Sequence, residues 1–204
     1  MATKGEIFNR ALSLNASNLL SDENDTSNEG VVCRTHYPQI YKGMLSAFDW
    51  SFAKTSTGQL TKLAGGDTND QKERYQIPTD ALTIKRVYTK NGFEIPYRVD
   101  GDEIITEYDI DTTSGVYLDY IQEVDEGVLP AYFVDALVYR LAAEICLPLT
   151  ENQTGYSNFY TVAQDMLKTA KFADRKAGGT KSLADSGEYS MVRQRYSGYS
   201  NWGR

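Results

Sequence analysis

The sequence predicts an α+β protein: a helical bundle formed by N- and C-terminal helices, an inserted small antiparallel β-meander lobe, and an extended C-terminal tail. Three observations carry this expectation. Residues 129–174 hold two apolar stripes at three-and-four spacing, residues 74–121 change to a period of two, and beyond Asp174 the periodicity fails. The expected organisation is residues 1–53 and 128–176 as one helical domain, 54–127 as the inserted lobe, and 177–204 as a flexible arm.

Residues 3–20 read as the first helix. Ile7, Phe8, Ala11, Leu12, Ala16, Leu19 and Leu20 make its stripe, while Glu6, Asn9, Arg10 and Asn18 face away. A polar break follows over residues 21–28, in which Thr26-Ser27-Asn28-Glu29 fits a capping box. The second helix is expected to run to about Asp49, with Val32, Tyr37, Tyr41, Met44, Leu45 and Phe48 inward. Pro38 predicts either a kink or a helix start at that residue. Trp50 and Phe52 alternate as in extended chain, and residues 54–63 read as a weak strand.

Residues 64–73 contain Gly65-Gly66 and a polar run, which predicts a long surface loop. Residues 82–88 then read as a strand, and Asn91-Gly92 is a type I′ hairpin signal. Residues 93–99 alternate, although Pro96 assigns them to an edge. Asp100-Gly101 turns the chain into a strand over 103–108, and residues 116–121 form the last one.

In the C-terminal pair, Phe133, Val134, Leu137, Val138, Leu141, Ala142 and Ile145 leave residues 129–147 little polar surface. A helix apolar over most of its circumference is buried on several sides. Pro148 is expected to stop it, and Thr150-Glu151-Asn152-Gln153 to cap the next helix as a capping box. That second helix carries Tyr156, Phe159, Tyr160, Ala163, Met166, Leu167, Ala170 and Ala173 as a single stripe. After it come Gly178-Gly179 and Ser186-Gly187, then Tyr189, Met191, Val192, Tyr196, Tyr199 and Trp202 interleaved with Arg193, Arg195 and Arg204. Such a tail cannot pack on its own, and aromatic plus arginine is the composition of interface hot spots.

Bulk properties narrow the function classes. At 204 residues the chain can bury one sizeable core, or a core with a smaller lobe. No apolar run approaches the ~20 residues that span a bilayer, and residues 1–6 lack a signal-peptide apolar region. Cys33 and Cys146 lie in apolar helical surroundings and are expected to be buried free thiols of a chain made in a cytoplasm. The formal charge of −7 is divided: residues 175–204 balance to +4, which leaves −11 for residues 1–174. Residues 94–126 hold eleven acids against the single base Arg98. An acidic body of this kind does not grip nucleic acid across its main surface.

Candidate chemistry is sparse. His36 is the only histidine, with no Gly-x-Ser-x-Gly and no nucleophilic cysteine context, so a catalytic triad is not expected. Asp109-Ile110-Asp111 begins like a calcium loop, but the twelfth position is Tyr120 and the glycine falls one place late. Glu103 with Glu107, or Glu123 with Asp125, could pair as an acid and a base on a sugar, yet a small hydrophilic meander promises no cleft. The expectation is a protein that is not an enzyme and uses no cofactor or metal. Tyr88, Tyr97, Tyr108, Tyr117 and Tyr120 either form a glycan- or receptor-binding face of a monomeric module or serve cross-strand packing.

Four motifs in order resemble one family. Glu6-Ile7-Phe8-Asn9-Arg10-Ala11-Leu12 is similar to its opening helix, and Met44-Leu45 through Trp50-Ser51-Phe52-Ala53 to the end of its second. Arg74-Tyr75-Gln76-Ile77-Pro78-Thr79-Asp80 resembles its lead into the sheet. Pro130-Ala131-Tyr132-Phe133, Ala136-Leu137, Leu141-Ala142-Ala143 and Pro148-Leu149-Thr150 resemble its third helix. Over residues 5–175 the chain thus resembles the head-to-tail adaptors of short-tailed bacteriophages, also called tail tubular protein A or gatekeeper ring proteins. It departs from them at Leu14-Asn15-Ala16, where a leucine–glycine pair and a short turn are usual, and the tail after Gly178 has no counterpart.

The resemblance implies a structural virion protein of the tail or neck, assembled in the host cytoplasm. Twelve copies would form a ring beneath the portal protein, extend the channel for double-stranded DNA, and seat the downstream tail nozzle or tube protein. The helices would be the ring wall. The arm, through Tyr189, Arg193, Arg195, Tyr196, Tyr199 and Trp202, would dock on the portal, with weak contact to DNA as the other reading of its arginines. Asp100, Asp102, Glu103, Glu107, Asp109 and Asp111 would line channel or rim, where repulsion keeps the genome from sticking.

Overall fold

The computed structural model describes residues 2–63, 73–107 and 115–177. Among the described residues the chain is α+β: four α-helices and two small antiparallel sheets of three strands each. In order they are α1 (Lys4–Leu14), α2 (Asn28–Ser46), β1 (Lys54–Ser56), β2 (Glu73–Gln76), β3 (Ala81–Thr89), β4 (Arg98–Asp100), β5 (Glu103–Thr106), β6 (Val116–Gln122), α3 (Ala131–Thr150) and α4 (Gln153–Ala177).

α1 is shorter than its stripe suggests. Thr3 and Glu6 close a reciprocal capping box at its start, with the Thr3 amide donating to the Glu6 carboxylate at 2.9 Å. It ends at Leu14 because Ala16 turns left-handed, φ 53°, a conformation that favours glycine. Leu20 still reaches the core because Asn9, expected to face away, holds its backbone from both sides. Leu19 is left exposed. α2 starts on Ser27, whose hydroxyl accepts from the Gly30 amide, and runs through Pro38 instead of starting there. A Cβ at Gly30 would lie 2.3 Å from the Asp25 carbonyl oxygen, so glycine is required at that approach. Trp50 to Ala53 form a tight turn in place of extended chain, closed by the Ala53 and Lys54 amides on the Trp50 carbonyl.

α3 is the axis of the helical part. α1, α2 and α4 all pack against it, and ten of its residues, from Phe133 to Cys146, are buried. Pro148 does not stop it at once: it occupies the last turn, where only one backbone donor is lost, and Glu151 ends the helix at φ 53°. The expected cap of α4 is also corrected. The Thr150 hydroxyl donates back to the Cys146 carbonyl, and Asn152 instead accepts from the Gly155 amide at 2.8 Å.

The strands are not one meander. β1-β6-β3 make one sheet and β2-β5-β4 the other. Asn91-Gly92 does turn the chain, and Phe93 to Ile95 return beside β3, but the alternation does not continue as one strand. At Pro96 the chain leaves the first sheet, and β4 joins the second. β6 is buried on both faces. Val116, Leu118 and Tyr120 enter an apolar cluster with Tyr75, Val87, Ile95 and Ile104, whereas Ile121 enters the helical core.

Aromatic rings link the helical elements. Phe133 sits at their centre, with ring centroids 5.0 Å from Trp50, 5.2 Å from Phe52 and 6.5 Å from Tyr41. Trp50 is fully buried and its indole N–H donates to the Met44 carbonyl at 2.9 Å. Replacing Phe133 by Ala should therefore cost about 3–5 kcal/mol in urea unfolding. The same truncation at Leu147, which is 37% exposed, should cost far less.

Candidate functional site

The far end of α4 is fastened by one buried acid. Asp174 follows Ala163 and Ala170 on the inward side of the helix and is 2% exposed. Its carboxylate accepts from the Ser51 amide and the Ser51 hydroxyl, each at 2.8 Å, and from the Tyr132 hydroxyl at 2.8 Å. Ser51 comes from the turn after α2 and Tyr132 from the first turn of α3, so three separate pieces of chain meet at two oxygens. Burial, and then the bond to Asp174, push the Tyr132 hydroxyl up to about 12. The apolar stripe of α4 did not reveal Asp174. The signal was an acid four residues after Ala170, inside the stripe where a small apolar residue belongs.

Polar ties join the helices to the sheets. The Tyr37 hydroxyl donates to Glu126 at 3.0 Å and the Tyr41 hydroxyl to the Val124 carbonyl. Burial, reinforced by the negative charge of Glu126, raises the pKa of both tyrosines. Lys85 pairs with Asp49, and Lys42 with Glu123 at 2.9 Å. On the first sheet Asp119 accepts from Ser56 at 2.6 Å and from Arg86 at 2.9 and 3.1 Å. Burial by itself would raise the Asp119 pKa, but hydrogen bonds from Ser56 and Tyr88 and the Arg86 charge outweigh it and lower it.

The predicted acidic residues divide. Asp100, Asp102 and Glu103 gather at the β4–β5 turn, which Gly101 makes at φ 61°. Glu107 lies beyond the other end of β5, about 13 Å of strand from Glu103. That span exceeds the ~5–10 Å between paired glycosidase carboxylates. Around the turn, Arg98 reaches Asp100 at 4.0 Å, Gln76 donates to Asp102 at 2.9 Å, and Arg74 pairs with Glu103 at 3.3 Å. Asp109 and Asp111 lie outside the described residues, as do Tyr108 and the loop 64–72. So do the arm residues Tyr189, Arg193, Arg195, Tyr196, Tyr199 and Trp202.

The tyrosines do not share a face. Tyr88 and Tyr117 stack on one side of the first sheet at 5.8 Å, with the Arg86 guanidinium 4.4 Å over Tyr88. Tyr120 turns into the apolar cluster on the other side, its hydroxyl toward Asp80, while Tyr97 stands apart before β4. His36 lines a groove of about 440 Å³ between α2, α3 and α4, with Arg140 and Glu144 across from it. Arg140 there is paired with Glu144 at 2.7 Å and lies 4.5 Å over Tyr160. Among the described residues no cluster of His, Cys, Asp or Glu could hold a metal ion, and Cys33 and Cys146 are free and buried. Burial pushes the Cys33 thiol up to about 12.

Of the C-terminal helix pair, α3 leaves only Leu147 exposed among its large apolar side chains, at 37%, and more apolar surface stays open on α4. Val162 is 37% and Phe172 71% exposed, and Tyr156, Phe159, Tyr160, Met166 and Leu167 are only half-buried. Beside them a groove of about 410 Å³ is floored by Val162, Met166 and Ala170 against Tyr132.

Removing the acceptor at Asp174 leaves three donors unmatched. Asp174→Ala should cost about 3 kcal/mol and Asp174→Asn less, measured by urea unfolding. The pH dependence follows from the raised hydroxyl. Above pH 10 the unfolded chain loses the Tyr132 proton while the folded chain keeps it until about 12, so stability present below pH 10 is lost across that window. Tyr132→Phe should lower that alkaline slope by at most one proton, about 1.4 kcal/mol per pH unit.

Compared with known proteins, the chain matches no protein-family model, and no curated protein matches it significantly.

Proposed function

We propose that the chain is a structural virion protein, a ring-forming head-to-tail adaptor that joins a portal to a tail and extends the DNA channel. The observation that carries the reading is where the family-like motifs meet. Trp50-Ser51-Phe52-Ala53 and Pro130-Ala131-Tyr132-Phe133 are about eighty residues apart in sequence, yet they share one aromatic contact set and one carboxylate, Asp174. Asp80, from the motif leading into the sheet, accepts from the Tyr120 hydroxyl at 3.3 Å and so ties that motif to β6. Motifs that carry a resemblance belong together when they build one piece of structure.

In this reading residues 1–53 and 128–176 form the ring wall, 54–127 a lobe at the channel or rim, and 177–204 the portal-docking arm. A helix held firmly to its last turns suits an arm that must leave from a fixed point. The acidic turn at Asp100, Asp102 and Glu103 suits a surface past which a genome slides, because like charge disfavours adhesion to phosphate. The partners are further copies of the chain, twelve by resemblance, the portal protein, the tail nozzle and transiently double-stranded DNA. The glycan-binding alternative would need one tyrosine face, and the described tyrosines are divided between two.

Mixing the chain with its cognate portal should yield a closed ring complex by light scattering and negative-stain imaging. Deleting residues 187–204 should abolish docking while leaving the thermal transition nearly unchanged. A monomer indifferent to the portal that retains a sugar on a glycan array overturns the reading.

A further inference from the structure

Phe172 is the most exposed large apolar side chain of the helices, 71% open to water. It stands two residues from the buried Asp174, so its backbone is among the best-anchored on the surface. On a helix its neighbours are the residues three and four away: Lys168, Thr169, Arg175 and Lys176. The cations have a local reason to be there, since Arg175 and Lys176 in the last turn offset the macrodipole, and nearby groups engage two of them, Asp165 meeting Lys168 at 3.0 Å and Arg175 lying 5.2 Å over Phe48. Neither accounts for an uncovered phenylalanine at their centre.

The complementary surface is on the sheets. Between the start of β3 and β4 lies a groove of about 540 Å³. Ile77, Leu82, Ile84, Tyr97 and Val99 line it, with Asp102 at its edge. Tyr97 and Val99 are 39% and 47% exposed, and every residue of β4 faces solvent. Asp100 stands beside this opening on the same turn, its nearest cation being Arg98 at 4.0 Å. An aromatic knob ringed by positive charge thus matches an apolar groove edged by negative charge. Phe172 does not fill its own chain's groove, because its ring is open to water.

We propose that Phe172 of one copy seats in the β3–β4 groove of a second copy, with Lys168 and Lys176 facing Asp100 and Asp102. The contact is heterologous: different surfaces on the two partners, repeated head to tail, which is what builds a ring when the rotation closes. It rests on the adaptor reading and names the surface through which copies join. Buried aromatics dominate such contacts, and the charges set register and approach rate.

The test uses the full chain in sedimentation velocity over a concentration series, alone and with the cognate portal ring. Phe172→Asp should weaken self-association by about tenfold or more, and Lys168→Glu with Lys176→Glu should do the same. Adding Asp100→Lys and Asp102→Lys to the latter should restore it. Because these side chains are exposed, the thermal transition of each variant should match the wild type. Rings that form as readily with Phe172→Asp overturn the inference and leave the adaptor reading standing. Failure of the charge swap to restore assembly overturns the pairing with the β4–β5 turn. A wild-type chain that never self-associates, with or without portal, overturns both. Retention of a double-stranded oligonucleotide that Lys168→Glu with Lys176→Glu abolishes, with self-association intact, assigns the patch to DNA and overturns the inference.

Discussion

Asp174 carries a carboxylate into a place where 2% of its residue surface meets water, and the helical part is arranged around making that tolerable. An ionised carboxylate removed from water costs several kcal/mol unless its lone pairs are satisfied. Three donors meet it, two from Ser51 and one from Tyr132, and each of these two residues needs its own element in place. Ser51 is positioned by the turn that buries Trp50, and Tyr132 by the first turn of α3. The constraint therefore fixes the relative setting of α2, α3 and α4 in a way that apolar packing does not. Apolar contacts tolerate sliding by a fraction of a residue, whereas three hydrogen bonds to two oxygens do not.

From that anchor the rest follows through Phe133 and β6. With α3 held at Tyr132, Phe133 meets Trp50, Phe52 and Tyr41 at once, closing the helical core. Tyr41 and Tyr37 then turn their hydroxyls to Val124 and Glu126, just past β6, so the strand is delivered to the helices by the same tyrosines that pack inside them. β6 completes the link, with Ile121 in the helical core and Leu118 in the sheet cluster. A substitution at either end of this route is felt along it, because its steps are buried or half-buried contacts.

The class and the four helices were legible, since amphipathic stripes at three-and-four spacing are the strongest signal a single sequence offers. Ends were harder, because caps compete locally. Thr150 had a capping-box pattern, but its hydroxyl found the Cys146 carbonyl one turn back and Asn152 took the cap. Pro148 reads as a stop, yet the helix continues past it to Thr150 before Glu151 turns left-handed. Alternation does not separate two sheets from one meander, because it records which face a residue takes, not which strand it pairs with. Pro96 marks an edge, but its consequence, a change of sheet, depends on β5 elsewhere in the chain. Of the candidate site residues, Asp100, Asp102 and Glu103 did fall together, because a tight turn between short strands leaves them no other arrangement. Asp174 escaped notice because periodicity rewards apolar residues and has no means of pricing a buried acid whose donors lie over 40 and over 120 residues away.

The apolar excess of α3 invites the inference that this helix meets a neighbouring copy, but α1, α2 and α4 cover most of its apolar surface within the chain and leave only Leu147 exposed among its large apolar side chains. More apolar surface is open elsewhere: Val162 and Phe172 on α4 and Tyr97 and Val99 around β4, besides the scattered Leu19, Val31, Phe93 and Val128. This relocation bears on assembly. A head-to-tail contact closes into a ring only if successive copies keep one angle, and otherwise it propagates as a filament. One side of the proposed contact is two residues from Asp174, where α4 is hydrogen-bonded to the turn after α2 and to α3. The other side begins at β3, which Lys85 holds to Asp49 at the end of α2. Both halves of the joint thus trace back to the α2–α3–α4 anchor. A ring-forming chain needs that, because a small angular error at each contact accumulates around the circle and leaves the last interface unmade.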